Sequence, residues 1–102
     1  MNIPEKKYCN SLTEYSRFIT REVMCGDVGI GGSNPIRLQS MTTTDTMNTL
    51  ATVEQSIRMI EAGSELVRIT APSINEAKNL ENIKKELRAR GYNTPLVADI
   101  HF

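Results

Sequence analysis

The chain has few cysteines, no excess of charge and no long apolar run, and each of these features argues against one class of protein. Its only cysteines, Cys9 and Cys25, show no C-x-x-C or Cys/His spacing, so they do not form a metal-cluster site by themselves. Twelve basic residues balance twelve acidic ones, which leaves no net field to hold nucleic acid. No segment approaches the roughly 18 apolar residues of a membrane-spanning helix, and no export signal opens the chain. We therefore expect a cytoplasmic protein without nucleic-acid or membrane partners, whose two thiols are free and not joined in a disulfide.

The first third of the chain predicts an arm followed by a hairpin. With 102 residues, 39% apolar and 24% charged, the chain can form at most one globular domain. Residues 1–16 show no sustained period, which indicates an irregular arm or a short helix. Apolar residues then alternate on both sides of Gly26-Asp27, a pair typical of a two-residue hairpin turn. The segment 31–35 (GGSNP) ends this hairpin, and we take 1–35 as one unit.

From residue 36 onwards, strand-like and helix-like segments alternate. The predicted strands are 36–41, 65–70 and 96–100, with a polar loop at 42–48. A first helix is predicted from the apolar stripe Leu50, Val53, Ile57 and Ile60, with a stop at Gly63. A second helix is predicted from a capping box at Ser73 and Glu76, the stripe Ile74, Ala77, Leu80, Ile83 and Leu87, and a stop at Gly91.

A β-α-β-α-β order with short connections predicts an α/β fold with a parallel sheet, either open and doubly wound or part of a closed barrel. Three strands alone would leave ladder groups and one apolar face uncovered. We therefore expect the native chain to continue, so that 36–102 is an incomplete domain. The hairpin is expected to cap the end of the sheet at which the strands begin.

Polar side chains near the carboxyl ends of the predicted strands are the candidate functional residues, because reactive groups collect there in parallel α/β folds. Side chains alternate between the two faces of a sheet along each strand. We therefore expect Gln39, Arg68 and the pair Asp99 and His101 to point to the same face, into the interior of a barrel. Arg68 fits either an anion site or an ion pair inside the barrel. Asp99 and His101 could share protons with a substrate or form a structural hydrogen bond; metal ligation is less favoured. The glycines near Ile30 lack the spacing of a dinucleotide loop.

Four strings in order carry a more specific signal: VGIGG at 28–32, PIRLQSMTTTDT at 35–46, LVRI at 66–69 and PLVADIHF at 95–102. Over residues 17–102 the chain resembles the start of the 4-hydroxy-3-methylbut-2-enyl diphosphate synthase family. The opening from Tyr8 to Val23 is similar to the longer family form, which has an inserted middle domain.

The resemblance implies the first three strands of a TIM-type (β/α)8 barrel and an enzyme that reductively opens methylerythritol cyclodiphosphate in isoprenoid biosynthesis. It implies that Arg68 holds the diphosphate and that Gln39, Asp99 and His101 line the pocket, with Asp99 and His101 as catalytic candidates. It also implies a [4Fe–4S] cluster bound by residues beyond Phe102, flavodoxin or ferredoxin as electron donor, and a homodimer. No metal ligand is expected in this chain, which by itself should be inactive.

Two other interpretations of the sequence remain open. Another phosphate- or pterin-binding barrel, similar to dihydropteroate synthase, could also carry polar strand ends, although the strings TDT and DIHF speak against it. A non-catalytic module could use the same residues merely to satisfy one another. A late C-x-x-C followed by another cysteine downstream of Phe102 would favour the synthase.

Overall fold

The computed structural model describes residues 11–14, 16 and 18–102, so most of the predicted N-terminal arm lies outside the described residues. The elements are β1 (Val23–Cys25), β2 (Val28–Ile30), β3 (Gln39–Met41), α1 (Thr49–Glu61), β4 (Leu66–Ala71), α2 (Ile74–Ala89) and β5 (Leu96–Ile100). Strands β1 and β2 pair antiparallel, and a separate sheet has the order β3-β4-β5 with both pairs parallel. In this described part of the chain, no helix combines the length and apolar character needed to cross a membrane.

The predicted order of three parallel strands and two helices is confirmed, but the first strand is shorter than predicted. It begins at Gln39 and not at Ile36. The reason is that the preceding residues have other partners: Leu38 donates its N–H to the Glu65 carboxylate, and Arg37 donates to Gly29 O at 2.8 Å and to Glu65 at 2.9 Å. These residues connect the hairpin to the sheet before the ladder starts.

The predicted hairpin is present, with Gly26 and Asp27 as its two loop residues, since Cys25 pairs with Val28. Gly26 has a φ of +56°, a conformation that glycine adopts without steric cost. The turn lies against Pro95, whose Cγ would be 3.0 Å from a Cβ built on Gly26. Because Pro95 directly precedes β5, the turn lies at the end of the sheet where the strands begin. The capping of a barrel floor stays a prediction.

Both helices end where the glycines predict. Gly63 and Gly91 have φ values of +116° and +88°, and the following residues donate their N–H groups back to Met59 O and Leu87 O, both at 3.0 Å. These are Schellman motifs. At the start of α2, Ser73 is the N-cap as predicted, but its hydroxyl bonds the Glu76 carboxylate and makes no side-chain bond to the backbone. The predicted capping box is therefore correct in position and wrong in its bonding.

The core lies between β4 and the two helices, which cover the same face of the sheet. Val67 and Ile69 of β4 pack against Val53 of α1 and against Ile83 and Leu87 of α2, and all five are fully buried.

Two stripe residues predicted to be buried are not: Leu50 is 55% exposed and Ile74 is 57% exposed. Each lies in the first turn of its helix. Beside Leu50 the contact between the helices is polar, because Thr49 bonds Asn79 in the second turn of α2.

Candidate functional site

The charged candidate residues of the sheet, Arg68 and Asp99, lie on the face opposite the helices. In the parallel register, Met41 pairs with Arg68, and Thr70 pairs with Asp99. Paired residues of neighbouring parallel strands point to the same side, and side chains alternate along each strand. Because Val67 and Ile69 face the helices, Arg68, Thr70 and Asp99 face the other way. Arg68 extends from the middle of β4, and Thr70 and Asp99 lie near the carboxyl ends of β4 and β5.

Arg68, Asp99 and His101 form an ionic cluster at this edge. Arg68 Nη2 lies 3.0 Å from Asp99 Oδ1, and His101 Nε2 lies 3.1 Å from Asp99 Oδ2. The Asp99 side chain is only 16% exposed, whereas those of Arg68 and His101 are 42% and 51% exposed. The backbone N–H of His101 donates to Ala71 O at 3.2 Å, which extends the parallel ladder by one residue and positions the imidazole. Asp99 is therefore the inner member of the cluster.

The cluster keeps Asp99 ionised. The hydrogen bond from the Arg68 guanidinium lowers the pKa of Asp99, and the bond from His101 lowers it further, although burial of the carboxyl acts in the opposite direction. The contact between Arg68 and Asp99 uses Nη2, while Arg68 Nε is buried without a hydrogen-bond partner among the described residues. The ion-pair interpretation of Arg68 is thus realised in the structure, and its role in anion binding stays a prediction.

Gln39 lies apart from the ionic cluster. It pairs with Leu66 at the start of β3, two residues before the partner of Arg68, which corresponds to roughly 7 Å along the strand. Gln39 also borders an open groove of about 480 Å³ between β3 and the C-terminal half of α1, although its register with Leu66 places its side chain on the Arg68 face of the sheet. Gln39 lies on the same face as Arg68 but makes no hydrogen bond or ion pair with the other candidates among the described residues, and a binding role for it stays a prediction.

The polar loop at 42–48 lies beside the ionic cluster and is attached to β4. Thr42 donates its N–H to Arg68 O at 3.0 Å, and the Thr46 hydroxyl donates to Thr70 O at 2.6 Å. The loop therefore follows the strand edge on which Arg68 lies. Thr42 and Thr46 are both buried, and Thr42 Oγ1 has no hydrogen-bond partner in the part of the chain that the structure describes.

Two helix residues that sequence reasoning missed hold this loop. Gln55 of α1 accepts the N–H groups of Thr43 at 2.8 Å and Thr44 at 3.2 Å, and its amide nitrogen donates to Thr43 Oγ1 at 2.8 Å. Asn79 of α2 donates to Thr46 O at 2.7 Å. The run of threonines indicated a loop, but no local signal identifies partners that lie twelve or thirty-three residues away. The loop is therefore held in one conformation by both helices.

A metal cluster does not fit the described residues. Among residues 11–14, 16 and 18–102, no group of three His, Cys, Asp or Glu side chains could hold a metal ion. Cys25 has a free, partly buried thiol in β1, near the opposite end of the sheet from Arg68. An iron–sulfur cluster is held by several thiolates. Cys9 lies outside the described residues, so the prediction of two free thiols is not decided for it.

Comparison with known proteins gives concordant matches over nearly the whole chain. The model of one family, the GcpE TIM-barrel domain, matches residues 20–102. Similar proteins named 4-hydroxy-3-methylbut-2-en-1-yl diphosphate synthase (flavodoxin) include one from Akkermansia muciniphila, 56% identical over 98 residues, which are 96% of this chain and 17% of that protein. One from Protochlamydia amoebophila is 54% identical over 98 residues, 96% of this chain and 15% of that protein. One from Chlorobaculum tepidum is 53% identical over 88 residues, 86% of this chain and 12% of that protein. The chain thus spans less than a fifth of the length of these relatives.

Proposed function

Because this chain belongs to the GcpE TIM-barrel family, we propose that it is the N-terminal barrel portion of a 4-hydroxy-3-methylbut-2-enyl diphosphate synthase. That oxidoreductase reductively converts 2-C-methyl-D-erythritol 2,4-cyclodiphosphate to 4-hydroxy-3-methylbut-2-enyl diphosphate in isoprenoid biosynthesis. The names of these relatives support this proposal. In it, β3, β4 and β5 are the first three of eight barrel strands, residues 1–35 cover the barrel floor, and this chain alone is inactive.

The observation that carries the proposal is the ionic cluster at the carboxyl edge of the sheet. Arg68 brings a planar set of donors to this edge, and such a set suits a phosphate. The N-terminus of α2 follows β4 at the same edge, with Ser73 as its N-cap, and adds a partial positive charge. We propose that Arg68 binds the diphosphate, and that Gln39, Asp99 and His101 line the pocket, with Asp99 and His101 as the candidates for catalysis.

This portion of the enzyme would bind and orient the substrate. A diphosphate carries several negative charges, and donors already fixed in place stabilise them without reorganising during the reaction. The loop at 42–48, held by Gln55 and Asn79, would supply one rigid wall of the pocket. His101 can donate a hydrogen bond to the substrate when it is protonated.

The electron-transfer parts of the enzyme lie elsewhere in this proposal. A [4Fe–4S] cluster supplies electrons when bound, and we assign its ligands to residues outside this chain because the described residues do not provide them. The relatives' names include flavodoxin, so we propose flavodoxin or ferredoxin as donor. A homodimer and a cytoplasmic location complete the proposal.

The test is the substitution Arg68→Lys in the complete enzyme. Lysine keeps the charge but loses the planar two-pronged donor set. We therefore expect kcat/KM for the cyclodiphosphate to fall, by an amount that corresponds to a rise of about 1–3 kcal/mol in activation free energy. The melting temperature should change little. Arg90→Lys is the matched control, because Arg90 forms an exposed ion pair with Glu86 on α2.

The opposite pattern would contradict the proposal. If Arg68→Lys lowered the melting temperature and left the kinetics at the level of Arg90→Lys, Arg68 would serve only as the structural partner of Asp99. The non-catalytic interpretation of the cluster would then be correct.

A further inference from the structure

We propose that Asp99 is a positioning residue, which holds Arg68 and His101 in place through its two carboxylate oxygens and does not itself contact the diphosphate. This inference rests on the proposed function. It replaces the catalytic role considered for Asp99 above with a positioning role, and it assigns contact with the diphosphate to its two neighbours.

Both oxygens of Asp99 are already engaged. Oδ1 lies 3.0 Å from Arg68 Nη2 and Oδ2 lies 3.1 Å from His101 Nε2, so each oxygen has its own cationic or N–H partner. The side chains of the two partners are 42% and 51% exposed, against 16% for Asp99. A ligand that approaches the free face of the sheet therefore meets the guanidinium and the imidazole first.

The chemistry of Asp99 also argues against a direct contact. An ionised carboxylate only accepts hydrogen bonds, and the oxygens of a diphosphate likewise only accept them, so no hydrogen bond can form between the two groups. Like charges at close range repel each other. Asp99 is therefore unsuited to bind the diphosphate but well suited to orient the groups that do.

The geometry shows what Asp99 holds in place. Arg68 extends from the middle of β4, whereas His101 lies just beyond the end of β5. A single carboxylate bridges the two neighbouring strands and fixes the side chains relative to each other. Because His101 Nε2 is directed at Asp99, the other ring nitrogen, Nδ1, is directed away from the carboxylate. A second partner commonly sets the orientation and tautomer of a histidine in this way.

The experiment compares Asp99→Asn with the unmodified complete enzyme. Asparagine keeps the shape but has only one acceptor oxygen, so one of the two contacts is lost together with the charge. We expect kcat for the cyclodiphosphate to fall about 10-fold or more. The Kd for inorganic diphosphate, measured by calorimetry, should change less than kcat, because the lost alignment of Arg68 and His101 weakens binding while the removal of a repelling charge strengthens it. Asp27→Asn, in the exposed hairpin turn, is the matched control and should change neither quantity.

Two outcomes would overturn the inference. A Kd for the cyclodiphosphate that weakens about 10-fold or more in Asp99→Asn, with kcat little changed, would mean that Asp99 binds the substrate directly, for example through an erythritol hydroxyl. A lower melting temperature with kcat and both Kd values unchanged would mean that Asp99 only stabilises the fold.

If Asp99→Asn does not fold, Asp99→Glu decides, because glutamate keeps the charge and both acceptor oxygens on a longer stem. A kcat that falls more than the affinity for inorganic diphosphate supports positioning, and an unchanged kcat refutes it. The unmodified enzyme separates the two proposals. If it binds neither the cyclodiphosphate nor inorganic diphosphate, the proposed function fails and this inference fails with it. If it binds both normally and Asp99→Asn loses affinity for the cyclodiphosphate while kcat changes little, the inference alone fails.

Discussion

Gln55 offers a quantitative test of how the loop beside the ionic cluster is held. We predict that Gln55→Ala loosens the loop at 42–48, because it removes the acceptor of two backbone N–H groups and the donor to the Thr43 hydroxyl. Gln55→Glu should preserve most of the restraint. Its carboxylate still accepts both N–H groups, and the Thr43 hydroxyl can rotate to become a donor.

The magnitude follows from the number and the exposure of these contacts. A typical hydrogen bond contributes a net 0.5–1.5 kcal/mol or so, and Gln55 makes three. Two of the three are exposed to solvent, so the groups released by Gln55→Ala can bond to water. We therefore expect a loss at the low end of the sum, about 1–2 kcal/mol, in the free energy of opening the loop.

The assay is amide hydrogen exchange of a peptide covering residues 41–48 in the complete enzyme, followed by mass spectrometry. A loss of about 1–2 kcal/mol corresponds to exchange that is roughly 5- to 30-fold faster. Unchanged exchange in Gln55→Ala would refute the reasoning, and so would an equal acceleration in Gln55→Glu. Unchanged exchange would mean that the loop is held mainly by Thr46 and Asn79. Equal acceleration would mean that the Gln55 amide nitrogen, which glutamate lacks, provides the restraint.

Three further predictions concern the backbone, the acid range and the isolated chain. Gly91→Ala should lower the melting temperature, because Gly91 has a φ of +88° and alanine there adds about 1–2 kcal/mol of backbone strain. The strain is not a clash with neighbours, since an added Cβ meets no atom within 4 Å. An unchanged melting temperature would contradict this prediction. Because Arg68 lowers the pKa of Asp99, the stabilisation from the ionic cluster should be complete above about pH 4 and be lost as pH falls through the lowered pKa. Asp99→Asn should therefore flatten the fall of melting temperature with acid, and parallel curves for the two proteins would refute the shift. The 102 residues expressed alone should aggregate or fold poorly, because both outer strands of the parallel sheet have an unpaired edge among the described residues. They should also bind no iron. Cooperative melting of a soluble monomer would contradict the first expectation.

Most of the secondary structure could be predicted because it depends on local signals. The turn at Gly26-Asp27 and the helix stops at Gly63 and Gly91 follow from the positive φ values that glycine tolerates. The parallel order of the strands follows from the alternation of strand and helix patterns. The errors concern long-range contacts. Arg37 bonds the hairpin and Glu65, and Leu38 bonds Glu65, so the strand begins only at Gln39. Leu50 remains exposed because its helix turn meets α2 through polar groups.

The candidate site, too, was predicted in part from local sequence patterns and decided in part by tertiary contacts. Strand periodicity alone predicted that Arg68, Asp99 and His101 would face one side, since side chains alternate with a period of two. Only the tertiary structure decided that Asp99 lies between the other two, that Gln39 lies lower on the sheet, and that Gln55 and Asn79 hold the loop. The physical reason is that backbone conformation is set mainly by neighbouring residues. Strand register and the partners of polar side chains are set by the packing of the helices on β4, which joins residues far apart in the chain.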